Sequence, residues 1–112
     1  MDRLTTSPAV RCDYERIAER VAQEPGVTAG KLFGMPALLL ERKAFAGLYG
    51  NAMVFKLGGA EHAAVLGLTG TELFDPSGMA RAMKAWVVVP TAHAGDWDGL
   101  ADQALASARL AR

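Results

Sequence analysis

Cysteine is nearly absent from this sequence, and the single thiol, Cys12, excludes an internal disulfide and fits the cytoplasm. An excess of charge is absent as well, because twelve basic and twelve acidic side chains give a formal net charge of zero. Proteins that bind nucleic acids usually carry an excess of positive charge, and this chain has none. We therefore expect no direct nucleic-acid partner. No apolar run approaches the roughly 20 residues of a membrane span, and no apolar stretch follows a charged N-terminus. We therefore expect a cytoplasmic protein with no membrane association and no signal peptide.

The composition that remains is typical of a globular domain. Of the 112 residues, 51% are hydrophobic and 21% are charged. A chain of this length and composition can bury a single hydrophobic core. We expect residues 1–6 to form a flexible tail and residues 7–112 to form a single domain.

The stretch 27–57 organises the chain, because Gly and Pro divide its aromatic and aliphatic residues into segments of strand length. Its sharpest signal is Gly50-Asn51, which supplies the positive φ that a two-residue hairpin turn needs. The turn pairs Tyr49 with Ala52, Leu48 with Met53, Ala46 with Phe55 and Ala44 with Leu57. Directly opposed residues share a face of the sheet. The predicted core face is therefore apolar and carries Ala44, Ala46, Leu48, Met53, Phe55 and Leu57.

The opposite face of this meander, which we call the second face, is also predicted to be apolar. The Gly50-Asn51 register places Phe45, Tyr49 and Val54 on it, and a further turn at Arg42-Lys43 would add Leu38 and Leu40. Arg-Lys is a poor primed turn, so a bulge here could shift the register by one residue. An antiparallel sheet with one solvated side should alternate apolar and polar residues, and this one does not. We expect these five residues either to form an association surface or to be covered by another segment of the chain.

A helix is predicted before the meander. Ser7-Pro8 indicates an N-cap followed by proline at the first helical position, and Glu24-Pro25-Gly26 indicates the end of the helix. Cys12 falls opposite the apolar stripe, so we expect its thiol to be exposed. The stripe recurs at helical spacing and consists of Val10, Tyr14, Ile17, Ala18 and Val21.

After the meander, the chain alternates between short helices and strands. Gly58-Gly59 opens a short helix that Gly67 ends, and Glu72–Phe74 is a candidate for a brief strand. Met83–Val89 is apolar on both faces, which favours an interior strand. Asp96 can cap a final helix with the stripe Trp97, Leu100, Ala101, Ala104 and Ala108. The order predicts a two-layer α+β fold, with an antiparallel sheet of about five strands and helices at both ends of the chain.

Four blocks of sequence together resemble the TfoX N-terminal-domain family, over roughly residues 27–109. They are Leu32-Phe33-Gly34-Met35-Pro36, Lys43-Ala44-Phe45-Ala46-Gly47-Leu48, Phe74-Asp75-Pro76-Ser77-Gly78 and Met83-Lys84-Ala85-Trp86-Val87-Val88-Val89-Pro90. Their order and spacing carry the resemblance more than any single block does. Two positions depart from the family pattern: the turn at Arg42-Lys43 usually contains Gly, and Ala82 stands where Pro is common.

The resemblance implies a small α+β fold and a link to bacterial regulators of natural competence. In such regulators this domain usually precedes a second, helical domain. Because the sequence ends at Arg112, we expect a stand-alone version whose regulatory role is open. The family implies neither catalytic residues nor a cofactor.

Three features of the sequence are candidates for chemistry. Cys12 near a helix N-terminus beside arginines is either a reactive thiol or an incidental exposed cysteine, and the second is favoured. His62 and His93 lack a second ligand at close spacing, so we expect no metal site. Gly58-Gly59 opens a helix that could present N–H groups to an anion, but the segment lacks the Lys and Ser/Thr of a phosphate-binding loop. The favoured interpretation is therefore that the two glycines only mark the start of the helix.

Two classes of function compete. The first is a non-enzymatic regulatory or protein-interaction module that forms a homodimer or docks a protein partner through the sheet. The second is a small-molecule-binding protein, or an enzyme, with a pocket between the sheet and its helices. A flat apolar sheet face would favour the first class, and a cleft with converging polar groups would favour the second.

Overall fold

The computed structural model describes residues 6–32, 34–74 and 83–110, and it has an α+β architecture. The elements are α1 Pro8–Val21, β1 Val27–Leu32, β2 Met35–Leu40, β3 Lys43–Tyr49, β4 Ala52–Lys56, α2 Gly59–Leu66, β5 Glu72–Phe74, β6 Met83–Pro90, a 3₁₀ helix Thr91–Asp96 and α3 Trp97–Leu110. The strands form one antiparallel sheet in the order β1-β2-β3-β4-β6-β5. The predicted fold class is confirmed, with the brief strand Glu72–Phe74 as the sixth strand. Residues 75–78 of the third resemblance block, Ala82 and most of the predicted tail lie outside the described residues.

Helix α1 begins as its sequence predicts. Ser7 is the N-cap, its hydroxyl accepts a hydrogen bond from the Val10 amide at 3.3 Å, and Pro8 follows at the first helical position. The backbone N–H of Ser7 in turn donates to Asn51 Oδ1 at 2.8 Å. The start of α1 is therefore fastened to the tip of the β3–β4 hairpin. Its buried residues are Val10, Tyr14, Ile17 and Val21.

The β3–β4 hairpin has the predicted register. Tyr49 lies opposite Ala52, Leu48 opposite Met53, Gly47 opposite Val54 and Ala46 opposite Phe55. Gly50 takes a φ of 59° and Asn51 has no positive φ, a combination that fits a type II′ turn. Local turn chemistry thus decides the register of these two strands.

The β2–β3 connection differs from the prediction. The turn residues are Glu41 and Arg42, with φ of 49° and 76°, so Leu40 lies opposite Lys43. A bulge then shifts the register, and Leu38 lies opposite Ala46 rather than opposite Gly47. Since Ala46 belongs to the core face, Leu38 and Leu40 lie on the core face too. Their predicted placement on the second face is wrong.

Two apolar clusters occupy the two faces of the sheet. The first joins the core face to α1, α2 and α3, and includes Ile17, Phe45, Phe55, Val65 and Trp97. The second contains Met35, Val54, Phe74, Trp86 and Val88, all on strands. In both clusters these side chains are less than a tenth exposed. Helices cover only the core face among the described residues, and the opposite face carries a smaller core of its own.

Strand β6 and helix α3 complete the layer of helices. β6 pairs with β4 on one side and β5 on the other, which confirms the predicted interior strand. The buried indole of Trp97 donates from Nε1 to the carbonyl oxygen of Val89 at 3.2 Å. This bond fixes the start of α3 to the end of β6, and it lets the helix run across β2, β3 and β4.

Candidate functional site

The five residues proposed as an association surface do not form one exposed patch. Leu38, Leu40 and Phe45 are 0%, 2% and 0% exposed in the first cluster, beneath the helices. Val54 and Tyr49 do lie on the second face, where Val54 is fully buried and Tyr49 is half-buried. The Tyr49 ring packs edge-to-face on Phe74, with centroids 5.0 Å apart. The expected flat apolar face is therefore replaced by a packed interior on each side.

The bulge explains why Phe45 changes face. Phe45 is the extra residue of β3 between Ala44, which opposes Leu39, and Ala46, which opposes Leu38. A bulge places two residues of one strand against one of the other and re-aims a side chain. Phe45 and Ala46 both enter the first cluster, while Ala44 packs against the second. The assignment of Phe45 to the second face is corrected for this reason.

The remaining candidates lie apart from a reactive arrangement. Cys12 is exposed on α1, as predicted. His93 lies in the 3₁₀ helix, where its Nε2 is 2.7 Å from the carbonyl oxygen of Thr69, and His62 is half-buried in α2. Among the described residues, no group of three or more His, Cys, Asp or Glu side chains is placed to hold a metal ion. His93 thus links the 3₁₀ helix to the segment that follows α2.

The structure does contain a cleft at one end of the sheet, lined by both polar and apolar residues. It has a volume of about 290 Å³. We call it the lysine cleft, and its lining consists of Leu40, Lys43, Ala44, Lys56, Leu57, Gly58, Ser107 and Ala108. Ligand pockets commonly begin at about this size and combine apolar walls with a few polar groups.

Antiparallel topology brings the lining residues together. β2 ends at Leu40, β3 begins at Lys43 and β4 ends at Lys56, so these residues lie at the same end of three neighbouring strands. Leu57 continues from β4 and donates its backbone N–H to the Ala85 carbonyl at 2.9 Å. Ser107, in the last part of α3, reaches the same end because that helix packs across β2, β3 and β4. Sheet and helix together therefore form the walls.

The polar side of the lysine cleft is cationic. Lys43 and Lys56 are both exposed, and neither forms an ion pair with any residue that the structure describes. The lining holds no carboxylate, and the half-buried Ser107 adds a hydroxyl. The apolar side consists of Leu40 and Leu57, which are almost fully buried, and of alanines. Lys43 lies opposite Leu40 on the core face, whereas Lys56 lies opposite Trp86 on the second face, so the two lysines approach the cleft from opposite faces of the sheet.

Gly58 leaves the lysine cleft open on its α2 side. It is the N-cap of α2 with extended backbone angles, φ −131° and ψ 162°, and it makes no side-chain capping hydrogen bond. A Cβ built on it would meet no atom within 4 Å. The predicted Gly58-Gly59 helix start is confirmed, and Gly58 belongs to the same lining as Lys43 and Ser107. The glycine pair was the one local signal for this site.

The arginines of α1 serve a different purpose. Arg16 Nη1 lies 2.9 Å from Asp98 Oδ2, and Arg20 contacts Asp98 and Asp102 at 3.2 and 3.1 Å. Burial raises the pKa of Asp98, but the hydrogen bonds and charges of Arg16 and Arg20 outweigh it and hold this pKa below its ordinary value. Burial also raises the pKa of Tyr14, on the core side of α1, to about 12. These groups tie α1 to α3 and to the core, and they do not line the lysine cleft.

Two other depressions lie on the surface of the described residues, and their linings differ from that of the lysine cleft. A shallow groove of about 540 Å³ between α2 and α3 is lined mostly by alanines, glycines and apolar side chains. A smaller depression of about 210 Å³ lies beside Arg11, Gly34 and Gly50. Neither of these two depressions has a lysine in its lining. The lysine cleft is therefore our candidate site.

Comparisons with protein-family models, with curated proteins and with solved structures find no match to this chain. The resemblance to the TfoX N-terminal-domain family accordingly stays a prediction. None of the helices within the described residues is long and apolar enough to cross a membrane.

Proposed function

We propose that this protein binds a small molecule in the lysine cleft. The observation that carries the proposal is a cleft of about 290 Å³ at one end of the sheet, where Lys43 and Ser107 lie beside apolar and small residues. Concave sites of this composition are the usual form of a ligand pocket. The burial of Leu38, Leu40 and Phe45 also favours this class of function over docking through a flat sheet face.

We propose that the lysine cleft binds its ligand without catalysing a reaction. The lining contains neither imidazole, thiol nor carboxylate among its described residues, so the groups that most often act as general base or nucleophile are not placed there. Lys43 and Lys56 are exposed, whereas catalytic lysines are typically desolvated. We therefore propose a binding module that is not an enzyme.

Binding is tested by filling the cleft from Gly58. We expect a set of small neutral, anionic and cationic fragments to include compounds that shift the backbone amide resonances of Ala44, Leu57 and Ala108 in wild type. Gly58→Leu should abolish these shifts, because its extended backbone accepts a side chain and the added atoms enter open space. The matched control is Gly99→Leu, also at a position with open space around the Cβ but outside the cleft.

Circular dichroism checks that both variants fold. Leucine is a poorer N-cap than glycine, so Gly58→Thr serves as a smaller blocking variant whose hydroxyl can cap the helix. The proposal fails if no fragment shifts the cleft amides of wild type. It also fails if folded Gly58→Leu responds as wild type does.

We propose, as a second function, the interaction module implied by the TfoX resemblance, with the outer edge of β1 as its surface. β1 is an edge strand, and its residues Thr28 to Lys31 are all exposed. An unpaired edge presents backbone N–H and C=O groups to another strand. Two copies related by a two-fold axis could pair these edges antiparallel and form a homodimer.

Sedimentation tests this second function. We expect a dimer at high micromolar concentration, with amide exchange of β1 slowed as the concentration rises, because pairing protects the outward N–H groups. A wild-type protein that sediments as a monomer throughout this range would refute self-association.

A further inference from the structure

We infer that the free edge of β1 pairs with the same edge of a second copy of this chain, in one antiparallel register that has Gly30 on the two-fold axis. This inference rests on the interaction module proposed above as the second function, and it adds the register and the residues that select a second copy as the partner. It draws on the backbone groups that β1 leaves free, on the turn before β1 and on the side chains beside the edge.

Alternate residues of β1 direct their backbone groups to the free edge. The Gly26 carbonyl faces β2, because it accepts a hydrogen bond at 3.0 Å from the residue that follows β2. The Val27 N–H turns away from β2 and donates to the Glu24 carbonyl at 3.1 Å. Since these directions alternate along an antiparallel strand, Ala29 and Lys31 face the free edge as well. Neither residue forms a backbone hydrogen bond outside the sheet with any part of the chain that the structure describes.

The turn before β1 selects the register. With Ala29 on the axis, Lys31 would lie opposite the partner's Val27, whose outward N–H is already bonded to Glu24. With Gly30 on the axis, Lys31 lies opposite the partner's Ala29 instead. The two residues then form a hydrogen-bonded pair on each side of the axis and exchange both of their N–H···O bonds. This register uses every outward backbone group of Ala29 and Lys31 and leaves the turn intact.

Gly30 suits a position on the axis. It would face its own copy in a non-hydrogen-bonded pair, where the Cα atoms lie only about 4.5 Å apart. A Cβ on Gly30 would collide with Cδ1 of Leu39, so the half-buried Leu39 of β2 already lies over this glycine on the second face. Pairing places the two Leu39 side chains on either side of the axis, and it sets Thr28 opposite the partner's half-buried Leu32 on the same face. The dimer thereby covers apolar surface that the edge leaves half-exposed.

The charge on β1 favours a second copy over an unrelated strand. A lysine on an edge strand normally discourages pairing, and Lys31 is exposed. In the Gly30 register it avoids the partner's Lys31, and it lies one pair away from the turn that holds the partner's exposed Glu24. Arg109 also reaches this turn, at the Pro25 carbonyl oxygen, and reduces the attraction. Backbone pairing therefore supplies most of the affinity, and the charges favour the register.

Cysteine cross-linking in a Cys12→Ser background tests the register. A mixture of Ala29→Cys and Lys31→Cys chains should form a disulfide between positions 29 and 31 under a mild thiol oxidant, because the Cα atoms of a hydrogen-bonded pair lie about 5.5 Å apart. Each variant alone should cross-link about fivefold less or weaker still, because its own copies are diagonal neighbours about 7–8 Å apart. Ala106→Cys, at an exposed position of α3, is the control for random collisions. Mass spectrometry identifies the linked peptides.

Loss of an outward N–H tests the pairing itself. Ala29→Pro removes that N–H and leaves the bonds to β2, at the kind of position where edge strands tolerate proline. It should raise the dissociation constant of the dimer roughly tenfold or more, because each copy loses a hydrogen bond. Ala29→Ser keeps the N–H and is the matched control, which should dimerise as wild type does. Sedimentation measures the dissociation constants, and circular dichroism checks the fold of each variant.

A charge swap tests the contact that favours the register. Lys31→Glu should weaken dimerisation roughly three- to tenfold, because it sets a carboxylate near the partner's Glu24 in both halves of the dimer. Glu24→Lys in the same chain should restore the dimer, since the attraction is then re-formed with the charges exchanged. A chain with both changes that dimerises no better than Lys31→Glu alone would contradict the Lys31–Glu24 contact.

The outcomes separate this inference from the function on which it rests. If Ala29→Cys cross-links with itself as readily as with Lys31→Cys, or if a wild-type dimer is captured by none of these cysteines, the register is wrong and self-association stands. An Ala29→Pro variant that dimerises as wild type does would overturn pairing through β1. A wild-type protein that sediments as a monomer would remove both the inference and the self-association. Should Ala29→Pro fail to fold, the cross-links, which need no proline, decide between these outcomes.

Discussion

The effect of a single substitution in this protein depends on whether the residue lies in the core or at the lysine cleft. Phe45 is a bulged residue and is fully buried in the first cluster, so it contributes to the core that joins the sheet to the helices. Gly58 lies in open space at the lysine cleft, where the lack of a side chain keeps the site accessible. One change at either position therefore tests a different property: stability at Phe45 and binding at Gly58.

Phe45→Lys should unfold the chain rather than release a folded monomer. An ammonium group at this site would be buried without a partner, and the aromatic packing would be lost. The combined cost of roughly 4 kcal/mol or more is a large part of the stability of a typical domain. Urea unfolding followed by circular dichroism measures it. Ala106→Lys, at an exposed position of α3 outside both the lysine cleft and the edge of β1, is the control and should change stability by less than about 0.5 kcal/mol. A cooperatively folded Phe45→Lys variant would contradict the register described for β2 and β3.

At the scale of elements, α1 and α3 are joined by an exposed network of ion pairs above an apolar contact. Arg16 and Arg20 both hold Asp98, whose side chain is 40% exposed. Solvent screens such pairs, so their joint contribution is about 1 kcal/mol or less. Apolar burial of the two helices against the core face supplies the larger part of the attachment, while the ion pairs favour one alignment of the helices.

The lowered pKa of Asp98 predicts a loss of stability in acid. Because the pKa in the folded state lies below the ordinary value of 3.8, this carboxylate stabilises the fold at pH values above 3.8. That contribution disappears as the pH falls through the lower, folded-state value. Asp98→Asn should lower the free energy of unfolding at pH 7 by up to about 1 kcal/mol and flatten its decline below pH 4.

Urea unfolding at pH 7, 4 and 2.5 measures this effect. The control is Asp96→Asn, at an exposed carboxylate of the 3₁₀ helix that is absent from the α1–α3 network. Identical acid profiles for Asp98→Asn and wild type would show that the network adds no stability.

At the scale of the whole molecule, the helices and the core face of the sheet enclose the first cluster, and they also border the lysine cleft. Helices cover only the core face among the described residues, and the second face holds a compact cluster of strand residues around Phe74 and Trp86. The lysine cleft lies where the end of α3 meets the ends of the three strands β2, β3 and β4. Since a ligand there contacts both layers, binding at ten times the dissociation constant would stabilise the fold by about 1.4 kcal/mol.

Local sequence signals determined a large part of this fold. Ser7-Pro8 specified the start of α1, and Gly50-Asn51 specified the register of β3 and β4. The interior position of β6 followed from its apolar residues on both faces. Each signal depends on a turn, a cap or a burial pattern within a few residues, and such interactions act the same way whatever the rest of the chain does.

Only the tertiary structure decided the position of the bulge and the composition of the candidate site. The turn at Glu41-Arg42 and the bulge at Phe45 replace a simple register with one that buries Leu38, Leu40 and Phe45 under the helices. A shift of one residue moves every side chain to the other face, so distant packing, rather than turn propensity, selects the register. Lys43, Lys56 and Ser107 carry no shared motif, and antiparallel pairing with the crossing of α3 brings them together.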